Sequence, residues 1–372
     1  MSAVWGRAEQ LDFRSRVRGC LLGGAIGDAV GAGVSGAGAP GTGSPGAAPE
    51  PGSLPAEVDL VPAYGRRGAV TWATQLTMFT VDGLIRAQIR RERGHWHPPT
   101  DVHRAHRRWY STQRDWGPDE RRADNGWLAL EEWLYARRDP ARPLLLGLGD
   151  EVMGTTEAPK NPRARDAGAA LRSAPFGLLV GWEPELVSLL ADECAVHTHG
   201  HPAARRSASA YAVIVHGLAR RAPLEAAVGA ALGLLAGQPG AEPVSRALDE
   251  ALESVRAGVP DVHRVAALGG SGGAEDALAV AVYCALVAED VRHGLSLAAA
   301  GPTAAAAAPL CGALLGAWHG ETALPPLWLA ELEGRAALLE LADDFAMELT
   351  QAQALHGPGA REEAWLRRYP VG

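Results

Sequence analysis

Helical patterning is the strongest constraint on what this chain can fold into. Ala and Leu dominate it, and strand-like alternation of Val and Ile is scarce. In Ser188–Val196, Leu189, Leu190, Cys194 and Ala195 recur at the spacing of a buried helix. Glu185 near its start suits the helix dipole, Gly200 marks a stop, and Pro202 fits the first position of a following helix ending near Arg220. Pro223 restarts the pattern, which predicts helices over Leu224–Leu235, Val244–Ala257, Ala274–Ala288 and Ala336–Leu349. The expected fold class is all-α.

The chain has 372 residues, 47% of them hydrophobic, which is ample for a large core. No repeat of solenoid length is present. Gly31–Pro55 is rich in Gly, Ala, Pro and Ser, with almost no apolar anchor. It reads as a flexible surface loop reaching about residue 62, since too little chain precedes it to form a domain. Gly147–Arg165 reads as a second loop, and Gly269–Gly273 as a flexible connection that matches no phosphate-binding spacing. These features predict one domain over residues 15–350, flanked by tails at 1–14 and 351–372.

Lys and Arg number 35 against 43 Asp and Glu, giving a net charge of −8. That balance argues against general nucleic-acid binding, which depends on neutralising phosphates. Arg90–His106 is locally basic, but it reads as a solvated helix end and loop. Cys20, Cys194, Cys284 and Cys311 are scattered among small apolar residues without zinc-ligand spacing, so they are expected as buried thiols. Met1–Arg18 lacks the apolar run of a signal peptide, and the apolar stretch Ala274–Ala288 is too short and too acidic to cross a bilayer. A cytoplasmic protein without membrane contact is the expectation.

Five segments carry a resemblance. The first is the small-residue run Arg18–Gly31, containing Gly27-Asp28-Ala29-Val30-Gly31, whose small side chains let a backbone or ligand approach closely. The others are Thr71–Met78; Gly154–Leu179, with Leu171-Arg172-Ser173-Ala174-Pro175-Phe176-Gly177; Thr198-His199-Gly200-His201-Pro202; and Leu278–Asp344. In this order they resemble the ADP-ribosylglycohydrolase family. The resemblance implies a compact helical fold with a central cleft. It also implies two magnesium or manganese ions, held by acidic side chains, that assist hydrolysis of ADP-ribosyl bonds.

Hard cations need oxygen ligands, and a close pair needs enough negative charge to offset its mutual repulsion. At each position where the resemblance places acids, this chain departs from it. Thr-Asp-Asp-Thr becomes Thr71-Trp72-Ala73-Thr74, and Gly-Asp-x-Asp-Thr becomes Gly301-Pro302-Thr303-Ala304-Ala305. The early glutamate falls near Ser35, and the first acid after Asp28 is Glu50. An indole offers no lone pair to a metal. Ser35, Trp72, Ala73, Pro302 and Ala304 are therefore degenerate catalytic positions, and neither a metal nor a cofactor is expected. Pro302 and Pro309 are expected to stiffen or kink the former ligand-bearing turn.

The resemblance leaves Asp28, Thr71, Gly168, Ala169, Arg172 and His199 as candidate ligand-binding residues. Backbone N–H groups at Gly168–Ala170 could face a diphosphate, although Asp166 stands where the family prefers glycine. Arg172 is expected either to steady the loop or ligand or to pair with Asp166. Trp72 is expected to fill the former metal cavity or to stack on a ring. His197, His199 and His201 form a metal-like cluster only on a helix, which Gly200 and Pro202 interrupt.

The reading that follows is a pseudoenzyme of this fold. It would be a binding or scaffold module whose partner is an ADP-ribose-like molecule or an ADP-ribosylated protein, with oligomers possible. The alternatives are a metal-independent hydrolase using a carboxylate pair such as Asp28 and Glu157, and a purely structural oligomeric protein.

Overall fold

A computed structural model describes residues 5–36, 58–115, 117–118, 126–356 and 360–371. The chain opens with α1 (Arg7–Val34), followed after an irregular stretch by α2 (Trp72–Glu92) and α3 (Pro98–Thr112). Next come α4 (Arg142–Gly149), the short α5 (Ala174–Gly177), α6 (Pro184–Ala195), α7 (Pro202–Ala219) and α8 (Leu224–Leu235). The second half holds α9 (Glu242–Arg256), α10 (Val262–Leu268), α11 (Ala274–Val287), α12 (Val291–Ala299) and α13 (Ala304–His319). The chain closes with α14 (Pro326–Glu331), α15 (Arg335–Leu355) and α16 (Ala360–Arg368). Among the described residues the only pairing outside helices is an isolated bridge between Ala63 and Arg66, so the fold is all-α. Helices found at α6 to α9 and at α11 agree with the patterned segments to within a few residues.

The centre of the fold is an antiparallel seam between α1 and α13. Gly19, Gly23, Gly27 and Gly31 face Gly316, Gly312, Ala308 and Ala304 in turn. At each of these four α1 positions a Cβ would come within 3.0 Å of the opposing backbone. Only hydrogen side chains allow that approach, which is the physical content of the small-residue run in α1. By hydropathy and length α1 could cross a membrane, but 78% of its most apolar stretch is buried within the fold. It is the core helix of this protein.

Three expectations need correction at the ends of the domain. The Gly-rich loop was expected to start at Gly31, yet α1 runs on to Val34 and Gly31 packs against Ala304. At the far end of that loop, Leu60 is fully buried, while residues 37–57 lie outside the described set. Neither terminus is a simple tail: α1 starts at Arg7 and buries Phe13, and Arg14 binds Asp343 at 2.6 Å. Ala360–Arg368 form a docked helix, α16. Trp365 Nε1 donates to Glu348 at 2.9 Å and the Tyr369 hydroxyl donates to Asp344 at 2.5 Å, polar anchors that composition alone does not reveal.

Pro309 lies inside α13 without ending it. The basic segment is also split differently from expectation. Residues 91–97 are solvated, but from Pro98 onward α3 turns His103 and His106 into the interior. All four cysteines are free and buried; burial pushes the Cys20 thiol up to about 12 and raises the other three as well. They are poor nucleophiles.

Candidate functional site

The site is built around the start of α2. Thr71 is its N-cap, with Oγ1 accepting from the Ala73 N–H at 3.1 Å. Asp28, on α1, completes the cap. Its Oδ1 accepts the Thr71 hydroxyl at 2.7 Å; its Oδ2 accepts the Thr71 N–H at 2.8 Å, the Thr74 N–H at 3.2 Å and the Thr74 hydroxyl at 2.6 Å. A carboxylate here offsets the unpaired N–H groups and the positive end of the helix dipole. Asp28 is 2% exposed. Burial raises its pKa above the usual carboxylate value, against the opposing pull of its Thr74 and Thr71 hydrogen bonds.

The fit to a dinuclear metal centre is poor. None of the acids that the resemblance places at such a centre is present, and the nearby Asp28 already accepts three hydrogen bonds on Oδ2. Trp72 and Ala73 bring no oxygen ligand from their side chains. Ala304 packs against Gly31, Pro302 lies against Gly269, and the buried Thr303 hydroxyl has no partner in the structure. Ser35 is an exposed helix C-cap. Among the described residues no three His, Cys, Asp or Glu side chains are grouped to hold a metal ion, and Glu50 lies outside them. Below the α2 N-terminus remains a cavity of about 20 Å³, lined in part by Gly24, Ala73, Thr74, Leu171, Tyr211 and Pro309. That volume suits a single water. Trp72 is half-buried against the core.

Beside it lies the loop leading into the 3-10 turn Ala170–Arg172. The turn packs onto α2, where the Thr77 hydroxyl donates to the Leu171 carbonyl at 3.1 Å. Arg172 is 1% exposed and does not pair with Asp166. It donates to the carbonyls of Gly168 (2.8 Å) and Cys194 (3.1 Å) and to the Thr198 hydroxyl (2.7 Å). Burial lowers its pKa to about 10, so it stays cationic at neutral pH. Its structural role is to tie the loop to the end of α6.

His199 takes Asp166 instead, with Nε2 2.8 Å from Oδ1, while Nδ1 lies 2.8 Å from the Thr198 hydroxyl. The Asp166 carboxyl sits below its usual range. Burial opposes ionisation, but the hydrogen bonds from His199 and the Gly168 N–H outweigh it. Burial also lowers the His199 pKa, against the pull of Asp166. An ionised Asp166 can only accept, so Nε2 carries the imidazole proton and Nδ1 accepts from Thr198.

Asp166 also accepts the Gly168 N–H at 3.0 Å, so that donor is occupied rather than free for a diphosphate. Ala169 and Ala170 are buried. The loop therefore joins Gly168, Arg172 and His199 in one network, adjacent through Leu171 to the Asp28–Thr71 cap. What the sequence does not show is the pairing of Asp166 with His199 and of Thr74 with Asp28.

His201 caps α7, accepting from the Ala203 N–H, and the helix break at Gly200 separates it from His197. Asp28 and Glu157 make an implausible catalytic pair: the former is wholly buried, the latter exposed and bonded to Thr156.

A sequence model of the ADP-ribosylglycohydrolase family matches residues 9–355, and the chain belongs to that family. No curated protein matches it. Among solved structures, it is similar to one described as an ADP-ribosylglycohydrolase-related protein complex. The two share 23% identity at a TM-score of 0.58, over 92% of this chain and 100% of the other. At that identity the likeness speaks to the fold.

Proposed function

We propose that this protein is a member of its family that has given up metal-dependent hydrolysis and acts as a binding or scaffold module. Its ligand would be an ADP-ribose-like molecule, free or attached to a protein, and its compartment the cytoplasm. One observation carries the reading. Asp28 holds the N-terminus of α2 with four hydrogen bonds, in place of the acid cluster that two divalent ions require. Trp72, Ala73, Pro302 and Ala304, where the resemblance places acids, supply no side-chain oxygen. A packed cap on a single, fully hydrogen-bonded carboxylate lacks the mutual repulsion of an acid cluster, which favours stability over metal chemistry.

Calorimetry with ADP-ribose, with and without manganese, tests this together with an assay for release of ADP-ribose from ADP-ribosylated protein. The expected result is binding that ignores the metal, and no turnover. Manganese-dependent turnover would overturn the proposal, and absence of binding would leave a purely structural protein.

A further inference from the structure

Three imidazoles from distant parts of the sequence meet beside the loop that Arg172 anchors. His103 and His106 lie one turn apart on α3, and His197 sits in the break between α6 and α7. The His197 ring centroid is 5.0 Å from that of His103 and 6.3 Å from that of His106. All three are buried.

Their hydrogen bonding is incomplete. The Thr80 hydroxyl lies 2.9 Å from His106 Nε2 and 3.0 Å from the Leu76 carbonyl, so that nitrogen shares its one partner with the backbone of α2. The other nitrogen of the His106 ring is Nδ1. That atom, His103 Nε2 and both nitrogens of His197 have no hydrogen-bond partner in the structure.

The charges facing the cluster are mostly positive. They are Arg104 and Arg107 on α3, His97 at its N-cap, Lys160 and Asp150 from the covering loops, and Arg172. Asp150, the one acid among these, is paired with Lys160 at 2.5 Å. A dication would be repelled here, and among the described residues no metal-binding group is formed.

We propose that His103, His106 and His197 form an acid latch: protonation opens the contact between α3 and residues 196–200 and releases the anchor of the ligand loop. The connection is direct. Val196 O accepts from Lys160 N at 2.9 Å, Thr198 O accepts from Asn161 Nδ2 at 2.9 Å, and Thr198 Oγ1 accepts from Arg172. Opening the segment removes all three ties.

Burial lowers the His103 pKa to about 4 and holds His106 and His197 well below the ordinary histidine value. The open state takes up protons near pH 6.5 and the closed state does not, so the latch is shut without penalty above that pH. Below it, each imidazole raises the opening equilibrium about tenfold per pH unit, and three together about a thousandfold. His199 shares the segment and adds at most one proton, because Asp166 already offsets part of its burial.

Amide hydrogen exchange on the full chain between pH 7.5 and 4.5, corrected for intrinsic rates, tests the latch. It needs no ADP-ribose, so its outcome is independent of the ligand reading. Peptides covering 98–112 and 196–200 should open with a dependence of about three protons below pH 6.5, while α9, which lacks histidine, should not. His103→Phe, His197→Phe and His106→Gln should each reduce the dependence by about one, the last retaining a hydrogen-bond partner for Thr80. A dependence of one proton or none, an equal response in α9, or protection of these peptides by zinc at pH 7 would overturn the proposal.

Discussion

Asp28 and Thr74 are joined by two hydrogen bonds to one oxygen: Oδ2 accepts both the Thr74 N–H at 3.2 Å and its hydroxyl at 2.6 Å. The carboxylate is thereby a structural cap. Asp28→Ala would leave the buried Thr74 donors and the half-buried Thr71 donors without this partner, and the loss of stability should be about 3 kcal/mol. Asp28→Asn keeps one acceptor oxygen and should lose less. Urea unfolding of both variants, read as midpoint shifts at constant slope, measures this.

Magnesium or manganese should leave the melting temperature unchanged. A true site would add about 2.7 kcal/mol of stability at a hundredfold excess over Kd. Thermal melts across a metal titration distinguish the two outcomes, and a saturable rise with either ion would contradict the assignment of the site.

Restoring acids at the start of α2 should not restore hydrolysis. Trp72→Asp with Ala73→Asp returns two carboxylates, but Ser35, Pro302 and Ala304 still supply none. The double variant is expected to show no manganese-dependent turnover in the ADP-ribose release assay. It should also be less stable, since Ala73 is buried and Trp72 half-buried, so both new carboxylates would lose hydration.

Much of this could be read from residue order. Helices such as Leu224–Leu235 follow from local periodicity, and the loss of acids at Trp72, Ala73, Pro302 and Ala304 is a matter of side-chain chemistry. What remained hidden depends on distance in sequence. The role of Asp28 is set by Thr74, 46 residues away, and the partner of His199 is Asp166, 33 residues away. The cluster of His103, His106 and His197 is hidden for the same reason. A composition-based reading places the Arg-rich segment in solvent, because its charged residues conceal the face of α3 that turns inward. The C-terminal helix escaped notice because its attachment rests on the polar pairs Trp365–Glu348 and Tyr369–Asp344 rather than on an apolar stripe.

Asp166 is expected to limit affinity for any phosphate-bearing ligand. It occupies the Gly168 N–H and presents a negative charge on the loop proposed to take the ligand. Asp166→Gly should tighten ADP-ribose binding by about five- to tenfold, the effect of removing one partly screened like charge. Calorimetry at low and moderate salt tests this, and the gain should shrink as salt rises.

The seam of α1 and α13 allows a controlled comparison of glycines. A Cβ at Gly316 would come within 3.0 Å of the Gly19 carbonyl, backbone that cannot swing aside. Gly316→Ala must therefore separate the two central helices and should cost about 2–3 kcal/mol. Gly229 lies in α8, is exposed, and has nothing within 4 Å of an added Cβ. Gly229→Ala removes backbone freedom from the unfolded chain without a clash and should stabilise by about 0.5–1 kcal/mol. Chemical unfolding of the two variants side by side is the measurement. If Gly316→Ala were neutral, the close approach of α1 and α13 would be wrong, and with it the packing that brings Ala304 against Gly31 where an acid would otherwise stand.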